Sequence, residues 1–135
     1  MILVNATKKT TVCDRCHFAN SLLKRMVGLL NRKGLASGEG LLLDRCYGIH
    51  TVGMRFPIDV LFLDKELHVM RAVEALPPFR TCIVKQAIYV LELPIGAIRG
   101  SRTEAGDQIQ MRTAGAETAA SPKNPASEKI QAGTQ

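Results

Sequence analysis

The residues best able to do chemistry together lie in one stretch, Cys46–Asp64, which reads C-Y-G-I-H-T-V-G-M-R-F-P-I-D-V-L-F-L-D. His50 is a general-base candidate near neutral pH. Asp59, with Glu92 further on, offers two carboxylates that could divide acid and base roles if they shared a cleft. The candidate catalytic set is therefore His50, Asp59 and Glu92, with Arg55 beside them. A few polar groups against an apolar wall also make a ligand pocket, and His50, Thr51, Met54, Arg55 and Asp59 are the candidate binding set. Catalysis is the weaker reading. No G-x-S-x-G elbow is present and no Ser or Thr is matched to a base. Glu92 stands between Leu91 and Leu93, where plain alternation along a strand points it away from the core. Asp59, between Ile58 and Val60, should be buried, and burying a polar group without a partner costs about 2–7 kcal/mol. It therefore needs donors, with Arg55, Thr51, His50 or turn amides nearest in sequence. The expectation is a non-catalytic domain that binds a ligand or partner through His50–Asp59; a small hydrolase-like enzyme is the alternative.

Cys13-Asp14-Arg15-Cys16-His17 spells C-x-x-C-H, the attachment pattern of c-type haem. Haem attachment needs export, and Met1-Ile2-Leu3-Val4 is too short and lacks the basic flank of a signal segment. Cys13 and Cys16 also have the spacing of half a zinc site. Completing it would take two of His17, Cys46, His50 and Cys82. With no second C-x-x-C, no cofactor is favoured and zinc is the alternative the spacing allows. A thioredoxin-like redox pair is disfavoured, since the motif does not open a helix in a βαβ unit. The thiols read best as small buried hydrophobes.

The elements that must position these residues follow from the apolar pattern. Val60-Leu61-Phe62-Leu63 is too short for a helix and reads as a strand buried on both faces, with Pro57 confined to its start. Ile58–Leu63 and Leu67–Val73 form a hairpin about Asp64-Lys65-Glu66. Leu22, Leu23, Met26, Leu29 and Leu30 recur at helical spacing after an Asn20 or Ser21 cap, predicting the principal amphipathic helix over about 20–31, with Lys24 and Arg25 on its far face. Met1–Asn5, Thr10–Val12, Leu41–Asp44, Cys82–Val84, Ala87–Leu93 and Gln108–Arg112 read as strands, and Gly48–Phe56 as strand or extended loop. Gly34–Gly40 lacks the Gly-Lys-Ser/Thr ending of a phosphate loop and reads as a turn. The fold class expected is α+β, a mostly antiparallel barrel-like sheet with one principal helix, forming a single domain over 1–112. From Thr113 the composition turns polar and small, which predicts a disordered tail over 113–135.

Hydrophobic residues make up 46% of the 135 positions but aromatics only 4%, so the core rests on aliphatic side chains. Residues 1–35 hold seven cations against Asp14 alone, a net of +6, while 36–135 hold eleven of each sign. Such a basic quarter can bind polyanions weakly and non-specifically. No nucleic-acid motif accompanies it, and a solvated face is the plainer reading. No apolar stretch approaches the roughly 18 residues of a membrane span, and the protein is expected in the cytoplasm.

The order I-H-T-x-G-M-x-F-x-I-D-x-x-F-L-D resembles the signature of the family catalogued as domain of unknown function 192. Arg25…Gly28-Leu29-Leu30, Gly40-Leu41-Leu42, Cys46, Glu92-Leu93…Gly96 and Gly106-Asp107 also match, so the resemblance covers about Phe18 to Arg112. It implies a compact β-rich single domain and carries no function with it. Val52 stands where relatives commonly have an aromatic, and Cys13–His17 falls outside the pattern.

Overall fold

A computed structural model describes residues 1–19, 34–52 and 54–113. Among the described residues are ten strands: β1 (Ile2–Asn5), β2 (Thr10–Cys13), β3 (Arg15–Ala19), β4 (Glu39–Asp44), β5 (Gly48–His50), β6 (Ile58–Leu63), β7 (Val69–Leu76), β8 (Thr81–Ile83), β9 (Tyr89–Leu93) and β10 (Ile109–Arg112). One short helix, α1 (Ala97–Ser101), follows β9. The helix expected over about 20–31 and the tail beyond Thr113 lie outside the described residues.

The strands form three sheets: five strands ordered β3-β4-β9-β6-β7, three ordered β10-β1-β2, and the two-stranded ribbon β5-β8. Pairing is antiparallel except between β3 and β4. The sheets are not closed into a barrel as expected. The reason is visible in β6, where all six residues, I-D-V-L-F-L, are buried. A barrel wall alternates inward and outward residues, whereas a strand apolar on both faces needs cover on both sides. Here Val60 and Phe62 join Leu43, Val90, Ile49 and Cys82 in one cluster beneath the ribbon. Leu61 and Leu63 join Leu3, Val12, Leu91 and Ile98 in a second, beneath the three-stranded sheet and α1. The result is a layered, β-rich arrangement with a core on each face of the central sheet.

The hairpin β6-β7 forms where expected, but β7 carries a bulge. Ile58 is opposite Leu76 and Val60 opposite Val73, so one extra residue is accommodated near Ala75. Ala75 takes a left-handed φ of 53°, which is uncommon for a residue with a Cβ. The bulge turns a backbone amide towards β6 and prepares the setting of Asp59.

Candidate functional site

Asp59 is 1% exposed and is answered by three backbone amides. Ala75 N–H donates to Oδ1 at 2.8 Å. Gly96 and Ile98 N–H donate to Oδ2 at 3.1 and 3.0 Å. Gly96 precedes α1, so the carboxylate supplies from β6 the cap that the helix's own N-terminal residue lacks. The donors come from the neighbouring strand and from α1, not from Arg55, Thr51 or His50. Those three leave by the Gly48–Phe56 segment, whereas Asp59 sits inside the central sheet.

Thr51 is fully buried and staples a loop. Its hydroxyl donates to the Pro77 carbonyl at 2.7 Å and accepts from Arg80 N–H at 2.8 Å. Its own N–H donates to the Arg80 carbonyl and its carbonyl accepts from Phe79 N–H. Pro77 and Pro78 have no N–H to give, so the reversal between β7 and β8 is held from outside by one threonine. Met54 is buried in the core beneath the ribbon, and Arg55 is exposed.

Glu92 is buried, contrary to the alternation argument. Its strand, β9, is the middle of five, so neither face is open to water. It is registered with Leu41 on one side and Val60 on the other, which puts it on the face covered by the ribbon. His50 is on β5, whose neighbour Ile49 points into that core, so the imidazole faces outward and is exposed. His50, Asp59 and Glu92 therefore do not converge.

His50 instead lines an open groove of about 670 Å³ with Arg45, Tyr47, Gly48, Val52, Thr81 and Ile83. Tyr47, Val52 and Ile83 are 56%, 52% and 53% exposed, a concentration of large apolar surface on a short ribbon. The ladder explains it: Gly48 is opposite Ile83 and His50 opposite Thr81, while Ile49 and Cys82 turn inward between them. A Cβ at Gly48 would stand 3.0 Å from Ile83 Cγ1, so the glycine lets the isoleucine lie across the strand. Of the candidate binding residues, His50 alone reaches this groove. Tyr47, Thr81 and Ile83 were not singled out in sequence, because alternation marks Thr81 and Ile83 as outward only once β8 is known to pair with β5.

The four cysteines are reduced and buried. Cys13 and Cys16 pack beneath the three-stranded sheet, Cys46 and Cys82 beneath the ribbon, on the opposite face. His17 follows Cys16 on β3 and is exposed. The candidate set Cys13, Cys16, His17 and Cys46 is thus divided by the sheet. A hydrogen bond between the Cys13 and Cys16 thiols, with burial, pushes the Cys13 thiol far above the ordinary range, and the same hydrogen bond lowers Cys16. Among the described residues, Asp64, Glu66 and His68 on the β6-β7 turn do bring three metal-capable atoms within 4.8 Å of one another. Asp64 there serves the turn itself, accepting from Glu66 and His68 N–H at 2.9 Å.

A polar network ties Asn5 and Lys8 to the Thr103–Asp107 segment. Asn5 donates to Thr103 Oγ1 and Asp107 Oδ2, and Lys8 Nζ reaches Asp107 and Glu104 at 2.8 Å each. Burial raises the Asp107 carboxyl, but hydrogen bonds from Asn5 and Lys8 outweigh it and hold the group below the usual carboxylate range. Two cations of the basic first quarter are thereby paired within the chain: half-buried Lys8 in this network, and exposed Arg15, which pairs with Asp14 and donates to the Ser37 carbonyl. Lys24, Arg25, Arg32 and Lys33 lie outside the described residues. No helix among the described residues is long and apolar enough to cross a membrane.

Fold and site together define a layered β-rich domain that presents an open apolar groove and keeps Asp59 and Glu92 on opposite faces of its central sheet. The chain belongs to the domain of unknown function 192 family, described as Uncharacterized ACR, whose model matches residues 3–111. The match begins nearer the N-terminus than Phe18 and takes in β1, β2 and Cys13–His17. Similar proteins include a UPF0127 protein of Pyrococcus furiosus, 31% identical over 112 residues, covering 80% of this chain and 96% of that one. Another, from Pyrococcus horikoshii, is 33% identical over 116 residues, covering 83% and 100%. Among solved structures, a Novosphingobium aromaticivorans protein of unknown function has a TM-score of 0.72 at 20% identity, covering 82% of this chain and 83% of that one. A Sinorhizobium meliloti protein, provisionally described as a transcription regulator, has a TM-score of 0.70 at 24% identity, covering 81% and 89%. At these identities the structures share the fold.

Proposed function

We propose that this is a non-catalytic binding domain, comprising residues 1–112 and acting in the cytoplasm, whose recognition surface is the groove over β5 and β8. The observation that carries the reading is the gathering of exposed Tyr47, Val52 and Ile83 around His50 in one concavity. Exposed apolar surface collected in one place marks interaction sites more often than scattered residues do. The hydrolase alternative loses support because Asp59 is on the far face of the central sheet and Glu92 is buried beneath the ribbon whose outer side carries His50, and a general base needs its partner within hydrogen-bond reach.

The test is an amide-shift screen of the labelled protein against a library of small fragments and generic ester substrates. Binding is expected to perturb Tyr47–Val52, Thr81 and Ile83, and to weaken in Tyr47→Ala. Ester turnover abolished by His50→Ala would return the enzyme reading to first place.

A further inference from the structure

We infer that the groove over β5 and β8 takes an extended acidic segment of a partner protein, anchored by an apolar side chain against Tyr47, Val52 and Ile83. The inference rests on that groove being the binding surface and adds the chemistry of its occupant. The two stretches that build the ribbon and its loops, 45–58 and 77–91, contain Arg45, Arg55, Arg80 and Lys85 and no Asp or Glu. All four cations are exposed. Among the described residues, Arg45 alone of them has an acidic neighbour, with Nε 3.5 Å from Asp44 Oδ2. Arg45 lines the groove and Arg80 precedes its lining residue Thr81; positions 36–135 balance eleven cations with eleven acids, so these two stretches carry a local excess and do not reflect overall charge.

An apolar centre with a rim of one sign selects a partner of complementary layout. The centre supplies the desolvated anchor, and the rim steers and orients an anionic approach. The backbone adds a third element. Val84 N–H bonds to the Tyr47 carbonyl and Thr51 N–H to the Arg80 carbonyl, so alternate residues of β5 are spent on β8. The intervening amides of Gly48 and His50 point away from β8, and among the described residues no third strand pairs with the ribbon. An extended segment can use such an edge for main-chain hydrogen bonds while its side chains enter the groove. A single-stranded nucleic acid would meet the charge requirement but needs aromatic platforms for its bases. The rings lining this groove are those of Tyr47 and His50, set among aliphatic Val52 and Ile83 and too few to stack a run of successive bases.

Phage-displayed random peptides selected on the full chain, with an oligothymidylate strand as competitor, test the inference. Selected peptides should carry Asp or Glu on both sides of a Leu, Ile or Phe. Their binding should shift the amides of Gly48, His50, Thr81 and Ile83. It should weaken about tenfold or more in Ile83→Glu and in Tyr47→Ala, and fall on raising salt in the native chain less steeply in Arg45→Ala/Arg80→Ala. Both apolar substitutions are at exposed positions, and unchanged amide spectra elsewhere would show that they fold. Peptides without acidic bias that still shift the groove would overturn the acidic occupant and leave the binding surface standing. Oligothymidylate displacing the peptides from the groove and binding more tightly would overturn the peptide in favour of nucleic acid. Peptides and fragments that both bind elsewhere would remove the groove reading and the acidic occupant together.

Discussion

Asp59 and Glu92 lie on neighbouring antiparallel strands and point to opposite faces of one sheet. Asp59 is registered with Leu93 and Glu92 with Val60, so each carboxylate sits beside the other's neighbour. A one-residue offset in a pleated ladder is enough to place two groups in different cores. Asp59 is turned towards α1 and Glu92 towards the ribbon. No pocket could contain both without dismantling β6 or β9.

For Asp59, replacement by Ala strands the amides of Ala75, Gly96 and Ile98. The Ile98 donor is buried and the other two bonds are partly so, and the loss should be about 1–3 kcal/mol. Urea unfolding of Asp59→Ala against the native chain measures it. A change of less than about 0.5 kcal/mol, the ordinary size for a surface substitution, would mean that water replaces the carboxylate and that the cap is dispensable.

Thr51 and His50 are adjacent in sequence and should behave oppositely. Thr51→Val removes a hydroxyl that both donates and accepts within the Pro77–Arg80 reversal, and should cost about 1–3 kcal/mol. His50→Ala removes an exposed side chain and should leave stability within about 0.5 kcal/mol. Thermal melts of the two variants decide this. Equal destabilisation by both would show that the imidazole supports the ribbon and is not simply presented by it.

The Asn5–Lys8–Asp107 network makes stability depend on pH at the acid end. Because the folded Asp107 carboxyl is held below its ordinary value, its contribution is fully present above about pH 3.9, the reference for a free aspartate. That contribution disappears as pH falls through the depressed folded value. Melting temperature should therefore drop below about pH 4, and drop less in Asp107→Asn, which is already destabilised at neutral pH. Parallel pH profiles for the two proteins would show that other carboxylates set the acid limit.

The cysteines should be unreactive in the folded protein. All four are buried, and Cys13 is further protected because the thiolate is the reactive form. A chromogenic disulfide should label them at the rate of unfolding, rising with urea. With the thiol pairs on opposite faces of the sheet, native mass measurement should find the apo mass. One equivalent of zinc, lost in a Cys13→Ser/Cys16→Ser variant, would overturn the reading of these thiols as buried hydrophobes.

Elements whose own side chains demand one environment were legible in the chain. Val60–Leu63 is apolar at every position, so it had to be a strand covered on both faces, and the turn residues after it marked a hairpin, whose second strand was expected over Leu67–Val73 and runs over Val69–Leu76. Asp59 was recognisable as a buried carboxylate for the same reason, since its neighbours leave it nowhere else to be. Its donors were not recognisable: Ala75, Gly96 and Ile98 contribute backbone amides, which carry no sequence signal, and they reach it only through a bulge and a five-residue helix too short to show a period. Cys13–His17 looked like a metal motif because its residue types suit one, but its second half belongs to β3. Pairing with β4 made it an edge strand, with Cys16 turned inward and His17 outward. Alternation misjudged Glu92 because it assumes one dry face, and only sheet order reveals that β9 has two. The groove belongs wholly to the tertiary structure. Tyr47, His50, Thr81 and Ile83 come from segments about thirty positions apart, and what brings them together is the β5-β8 pairing, a long-range contact whose register no local pattern encodes.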